Sequence, residues 1–108
     1  MDRRKAFASL LESAPEPKLR FTNHFDIRQL QRNLGRKEIE DWIFHRQTEL
    51  VHVEEAQSSR GLQRFRLFYR YSKKKLLTIV VDRDTESVFC VVTFVIDKKE
   101  RMLKRFKA

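Results

Sequence analysis

Residues 63–96 read QRFRLFYRYSKKKLLTIVVDRDTESVFCVVTFVI and contain three runs that are typical of β-strands. In the first run, residues 63–71, successive side chains should point to opposite faces of a sheet. One face would carry Phe65, Leu67, Tyr69 and Tyr71, and the other would carry most of the arginines. The second and third runs, residues 76–81 and 88–96, are almost continuously apolar, as expected of strands in the middle of a sheet. Short polar turns join the three runs, and the stretch therefore predicts an antiparallel meander.

Helical spacing of apolar residues precedes these strands. It predicts three helices, over residues 3–13, 23–34 and 36–45. Asn23 is the predicted N-cap of the second helix, and its apolar stripe of Ile27, Leu30 and Leu34 is predicted to face the core. A short fourth strand is predicted at residues 50–53, where the helical pattern has ended.

The end of the chain predicts one more helix. Asp97 stands three residues before Glu100, which is a capping-box spacing, and the apolar side would be formed by Met102, Leu103 and Phe106. The expected fold class is α+β, with N-terminal helices packed on a curved, mostly antiparallel four-stranded sheet and a C-terminal basic helix. The expected organisation has three parts, which are a helix and proline-containing linker at 1–18, the α+β domain at 19–96 and the basic helix at 97–108.

Composition excludes several classes of protein. The 108 residues suffice for one ordinary domain, and no run is apolar and long enough for a membrane span or a secretory signal. The lone Cys90 rules out an internal disulfide, and no spacing of cysteine and histidine resembles a metal site. No glycine-rich phosphate loop or cofactor motif is present. We therefore expect a cytoplasmic protein without a metal or cofactor.

Charge indicates the kind of partner. Lysine and arginine outnumber aspartate and glutamate by 24 to 15, which gives a net charge of +9. Residues 60–75 hold seven basic and no acidic side chains. A surface of this kind attracts polyanions, and RNA is the leading candidate. The alternative is a set of solvated charges without a ligand.

The strand at residues 63–71 carries the predicted binding surface. Its residues of one face are Arg64, Arg66, Phe68 and Arg70, and Lys73 and Lys74 follow in the turn. Arginine pairs well with phosphate, and an aromatic ring between arginines offers a base a stacking surface. The competing interpretation is a sheet face exposed to water, in which Phe68 only covers the edge of a helix.

The second predicted helix holds a candidate catalytic group. His24, Arg28 and Arg32 recur every four residues and so form one ridge. A histidine beside arginines can stay neutral and accept the proton of a ribose 2′-hydroxyl, while the arginines hold the scissile phosphate. The plainer interpretation is three ordinary surface residues.

Some of these residues also resemble a known family. The resemblance is carried by Phe21-Thr22-Asn23-His24, Arg28, Arg32, Leu34, Glu38, Ile39 and Trp42-Ile43, and later by residues 76–81 and 91–94. In this order they are similar to the bacterial and archaeal family known as domain of unknown function 4258, over about residues 19–96. That family is similar in layout to the RelE/ParE-like toxins, within the wider group of barnase, EndoU and colicin nucleases.

The resemblance implies a metal-independent endoribonuclease that is held inactive by an acidic antitoxin. It implies catalytic roles for His24, Arg28 and Thr93, with Arg32 on the same ridge and Arg64 or Arg66 contributed by the sheet. Two other classes stay open, a non-catalytic nucleic-acid-binding module and a protein-interaction module that binds a partner or a second copy of the chain. The basic C-terminal segment departs from the family pattern, and could either bind RNA or cover the sheet.

Overall fold

The computed structural model describes residues 3–32 and 34–98, apart from the side chains at 31 and 32. The helices and strands of this part are α1 Arg3–Ser13, β1 Lys18–Phe21, α2 Asn23–Arg32, α3 Arg36–His45, β2 Leu50–Gln57, β3 Gln63–Arg70, β4 Lys75–Arg83 and β5 Val88–Lys98. The strands form one sheet in the order β1-β5-β4-β3-β2. The α+β class is therefore confirmed.

The prediction of a four-stranded antiparallel sheet was wrong, because β1 adds a fifth strand that runs parallel to β5. Lys18 lies opposite Val88, and Phe21 lies opposite Val91. The other three pairings, β5-β4, β4-β3 and β3-β2, are antiparallel. A strand of four residues gives too short a pattern to recognise, and its parallel partner is far away along the chain.

All three helices pack on the same face of the sheet. Each contributes an aromatic ring that meets a strand ring at 5.2–5.5 Å between centroids: Phe7 with Phe65, Phe25 with Phe94, and Trp42 with Tyr69. The inward alternation predicted over residues 63–71 is confirmed for Phe65, Leu67 and Tyr69, which are completely buried, but not for Tyr71, which follows the strand and is 40% exposed. We call this the helix face of the sheet, and the opposite one the far face.

The second helix packs through a different side than predicted. Phe25 is fully buried, whereas Ile27 and Leu30 are 57% and 81% exposed, so those two members of the predicted core stripe were assigned wrongly. The helix follows β1 after a single residue, and Thr22 caps it by accepting a hydrogen bond from the Phe25 backbone N–H at 3.1 Å. This entry geometry directs Phe25 toward the sheet and turns Leu30 toward the solvent.

Three strands are longer than predicted, β2, β5 and β4, which runs from Lys75 to Arg83 instead of over residues 76–81. β2 continues through Glu54 and Glu55 to Gln57, because one side of this edge strand can carry polar residues. β5 continues through Asp97 and Lys98, which lie opposite Leu76 and Lys75 of β4. These two residues are therefore strand and do not begin a helix, and the rest of the predicted C-terminal helix, residues 99–108, lies outside the described residues. In the part of the chain that is described, no helix is long and apolar enough to cross a membrane.

Candidate nucleic-acid interface

The far face of the sheet carries the predicted binding residues of β3. Arg64, Arg66, Phe68 and Arg70 alternate with the buried residues of the helix face, as strand geometry requires. Their surroundings differ from one another, however. The four positions are therefore not equivalent ligands for a phosphate chain.

Arg64 is engaged within the protein. Its Nε and Nη2 donate hydrogen bonds to the two carboxylate oxygens of Asp82 at 2.7 and 3.0 Å. The Asp82 side chain is 5% exposed and that of Arg64 is 26% exposed, so this bidentate pair is largely withdrawn from water. The hydrogen bonds to the Asp82 carboxylate raise the pKa of Arg64 above its usual value. Arg64 thus neutralises a buried carboxylate, which weakens its candidacy as a phosphate ligand.

The next two positions on β3 are also constrained. Arg66 lies directly opposite Glu54 of β2, so an acidic side chain accompanies it across the strand pair. The ring of Phe68 is 0% exposed. A base cannot stack on Phe68 in this structure, because stacking needs an accessible ring face.

Five exposed cations gather on one side of the sheet, where β3 and β5 end and β4 begins. We call this group the cationic end, and it consists of Arg70, Lys73, Lys74, Lys75 and Lys98. The β3–β4 turn is closed by the backbone N–H groups of Tyr71 and Ser72, which both donate to the Lys75 carbonyl at 3.1 Å. The turn therefore holds three consecutive lysines next to Arg70.

The register of β4 and β5 adds the fifth cation. Lys75 lies directly opposite Lys98, and both side chains are exposed. Like charges in directly opposed positions destabilise a strand pair, so this pairing is unfavourable. Asp97, which directly precedes Lys98, is an acidic neighbour of the pair. Within the described residues, no ion pair involves any member of the cationic end.

The proposed catalytic residues lie around the start of α2. The Thr22 hydroxyl donates to the Val92 carbonyl at 2.7 Å, which fixes the first turn of the helix to β5 beside Thr93. His24 is exposed in that turn and Arg28 is half-buried one turn later. The side chain of Arg32 is not among those described. The structure thus brings the helix start to the strand that holds Thr93, and it shows no direct contact between His24 and Thr93.

A cavity of about 460 Å³ opens next to this corner. Its lining includes Asn23, Cys90, Arg60 and two arginine–aspartate pairs, Arg64 with Asp82 and Arg20 with Asp84. Burial, with a further contribution from Asp82, raises the pKa of the Cys90 thiol. The thiol is therefore protonated at neutral pH and a poor nucleophile. The two ion pairs leave Arg60 as the one arginine of this lining without a carboxylate partner among the described residues.

A metal centre is not formed by the described residues, since no cluster of three or more histidine, cysteine, aspartate or glutamate side chains is placed to hold an ion. The chain matches no protein-family model, no curated protein and no solved structure. The resemblance to the toxin-like family therefore stays a prediction.

Two features of this surface were not predicted from the sequence, the neutralisation of Arg64 and the fifth member of the cationic end, Lys98. Arg64 and Asp82 are equally distant from Lys73 along the chain, so a hairpin centred on that lysine pairs them. The pairing of Arg64 with Asp82 was therefore predictable from the sequence, once the turn at residues 72–74 is taken as the centre of the hairpin. Lys98 was assigned to a helix instead, and the register of β5 contains a bulge opposite Val80 and Val81 that sequence alone does not reveal.

Proposed function

We propose that this protein binds single-stranded RNA through the cationic end. The observation that carries the proposal is the exposure of Arg70, three turn lysines and Lys98 at one end of the sheet, including the directly opposed pair Lys75 and Lys98. A phosphate chain placed there would relieve the repulsion between these cations. Each neutralised phosphate would also release counterions, which is the main source of non-specific affinity for nucleic acids.

The distribution of acidic groups supports this location over the middle of the far face. Arg64 is paired with Asp82, Arg20 is paired with Asp84, and Arg66 faces Glu54. Cations that already have acidic neighbours release fewer counterions when an RNA phosphate approaches. The binding surface we propose is therefore smaller than the predicted one and lies at its Arg70 end.

The test compares two variants that lose the same total charge. Binding of a fluorescently labelled single-stranded RNA is measured by anisotropy at increasing KCl for the unaltered chain, for K73Q/K74Q/K75Q and for a control, K5Q/K18Q/K37Q. The control lysines are also exposed and lie on α1, β1 and α3. Because each phosphate contact contributes about −0.7 to the slope of log K against log salt, the first variant should lose about 2 from the magnitude of that slope.

Two results would overturn the proposal. Equal losses in the two variants would show that binding follows the total charge rather than the cationic end. An absence of RNA binding at low salt would remove RNA as the partner. The expected result is that the control variant keeps the salt dependence of the unaltered chain and K73Q/K74Q/K75Q does not.

Cleavage of the bound RNA is the second candidate function. The hydrogen bond from Thr22 to Val92 favours it, because it holds the start of α2 next to Thr93. In this proposal the exposed His24 accepts the ribose proton, and Arg28 and Thr93 contact the scissile phosphate. The same proposal includes an acidic antitoxin protein that binds the cationic end. It also includes a cytoplasmic location.

Cleavage is tested with labelled RNA in EDTA. The unaltered chain should produce fragments, H24A and R28A should lose most of this activity, and H45A should retain it, since His45 is an exposed histidine on another helix. Fragments that persist in H24A would contradict the role of His24. Intact RNA with the unaltered chain would leave binding without cleavage.

A further inference from the structure

The far face contains a buried apolar patch that the described helices do not cover. Phe68 and Leu76 are 0% and 1% exposed, and Val51 and Val95 pack against them. We call these four residues the far-face patch. They come from four neighbouring strands, and the core side chains of α1, α2 and α3 belong to the separate cluster on the helix face.

The ring of His52, directly opposite on β2, contacts Phe68 at 5.5 Å between centroids, but strand neighbours alone leave the outer side of such a ring open to water. An antiparallel sheet that is covered on one side only leaves the side chains of its other face in contact with water. Thr78, which lies between Phe68 and Val95 in the register, is also only 4% exposed. The burial of three neighbouring positions is therefore not explained by the described helices.

We propose that the chain's own C-terminal segment, residues 99–108, docks on the far-face patch. Asp97 lies opposite Leu76 in the register, so the segment leaves the sheet two residues beyond a member of the patch. Ten residues in helical conformation span about 15 Å. The distance from β5 across β4 and β3 to β2 is three strand spacings, or about 14 Å. The segment therefore has the length needed to reach every strand of the patch.

The chemistry of the segment fits the same surface. Met102, Leu103 and Phe106 fall on one side of a helix, and they can pack against the patch residues. The other positions are mostly charged, with five cations at Lys99, Arg101, Lys104, Arg105 and Lys107. A covalently attached segment also has a high effective concentration at the patch, which favours it over a second copy of the chain. This docking goes beyond RNA binding and does not depend on it.

The test uses a thiol placed in the patch of the full-length chain. Val95→Cys is introduced together with Cys90→Ser, so that the reporter is the single thiol, and its rate of reaction with a thiol reagent is measured. Val51→Cys on β2 serves as a second reporter. Fluorescence of Trp42, which is buried on the helix face, shows for each variant that the core is intact.

Two tail variants are compared on this background. L103S/F106S removes apolar contacts, and R101S/K104S changes two positions on the opposite side of the predicted helix. We expect the first pair to accelerate the reaction of both reporters by about tenfold or more, which corresponds to a docking free energy of at least about 1.4 kcal/mol. The second pair should change it less than about twofold, or about 0.4 kcal/mol by the same relation.

Unchanged rates in L103S/F106S, with Trp42 fluorescence intact, would overturn the proposal. Equal acceleration by both pairs would also overturn it, because the contact would not depend on the apolar side. Protection that appears only at high protein concentration would assign the cover to a second copy of the chain, and would equally overturn docking within one molecule.

Discussion

The pair formed by Arg64 and Asp82 shows how one buried carboxylate sets the role of its neighbour. Asp82 is almost completely buried, and an unpaired charge in that position would be costly. Arg64 meets that requirement with two hydrogen bonds. Its identity is therefore explained by folding, whereas the exposed Arg70 on the same strand has no such partner among the described residues.

We predict that Asp82→Asn destabilises the protein by about 2 kcal/mol, because Arg64 loses a charged acceptor in a largely buried site. Asp84→Asn is the matched control, since it removes a carboxylate from the exposed pair with Arg20 and should cost less than about 0.5 kcal/mol. Urea unfolding of both variants measures the difference. Similar unfolding midpoints for the two would contradict a structural role of the Arg64 pair.

Tyr69 presents the opposite case, a buried polar atom without a partner in the described part of the chain. Burial raises the pKa of its hydroxyl well above the usual value near 10. An unfolded chain loses this proton near pH 10, whereas the folded protein keeps it. The titration of Tyr69 therefore leaves the free energy of unfolding unchanged below about pH 10 and lowers it as the pH rises above that value.

We predict that Tyr69→Phe stabilises the protein by about 1 kcal/mol at neutral pH, because the unsatisfied hydroxyl is removed from the core. It should also reduce the loss of stability between about pH 10 and 11. Tyr71→Phe is the control, since that ring is 40% exposed and should leave stability unchanged. Denaturant unfolding at several pH values measures the free energy of unfolding of both variants. A destabilised Tyr69→Phe would mean that the hydroxyl has a hydrogen-bond partner.

At the scale of the elements, the start of α2 is the joint between strand and helix. The Thr22 hydroxyl accepts a hydrogen bond from the Phe25 N–H and donates one to the Val92 carbonyl. One side chain thereby caps the helix and attaches it to β5. Asn23, the cap predicted from the sequence, is exposed as the first residue of the helix.

We predict that Thr22→Val, which keeps the shape and removes the hydroxyl, lowers the free energy of unfolding by about 1–2 kcal/mol. Asn23→Ala should change it by less than about 0.5 kcal/mol, as is usual for an exposed position without a defined contact. Thermal unfolding followed by circular dichroism compares the two. A larger effect of Asn23→Ala would restore the cap that the sequence predicted.

The elements also show why amphipathicity alone did not orient α2. Two sides of this segment carry apolar residues. Phe25 and Leu34 pack in the core, whereas Ile27 and Leu30 are exposed, and the spacing of these residues does not show which side is buried. The choice depends on where β1 ends and on the neighbouring ring of Phe94. Both are long-range features, since β1 pairs with a strand about seventy residues later.

At the scale of the whole molecule, the net charge of +9 is spread unevenly over the described surface. Ion pairs and acidic neighbours occupy the arginines in the middle of the far face, whereas five exposed cations without an ion pair among the described residues gather at the end of the sheet, beside Asp97. Two variants with equal total charge can therefore differ in RNA affinity. The difference depends on strand register, which composition does not contain.

Local sequence patterns were sufficient to predict the helices α1 and α3, the strands β3, β4 and β5 apart from their exact ends, and the alternation that buries Phe65, Leu67 and Tyr69. These features are local, because apolar periodicity and turn residues act over a few positions. Four features became evident only in the folded chain: the parallel addition of β1, the side of α2 that packs, the neutralisation of Arg64 by Asp82 and the pairing of Lys75 with Lys98. Each of these depends on contacts between distant segments, and such contacts are selected by the packing of the whole chain rather than by the pattern within any one segment.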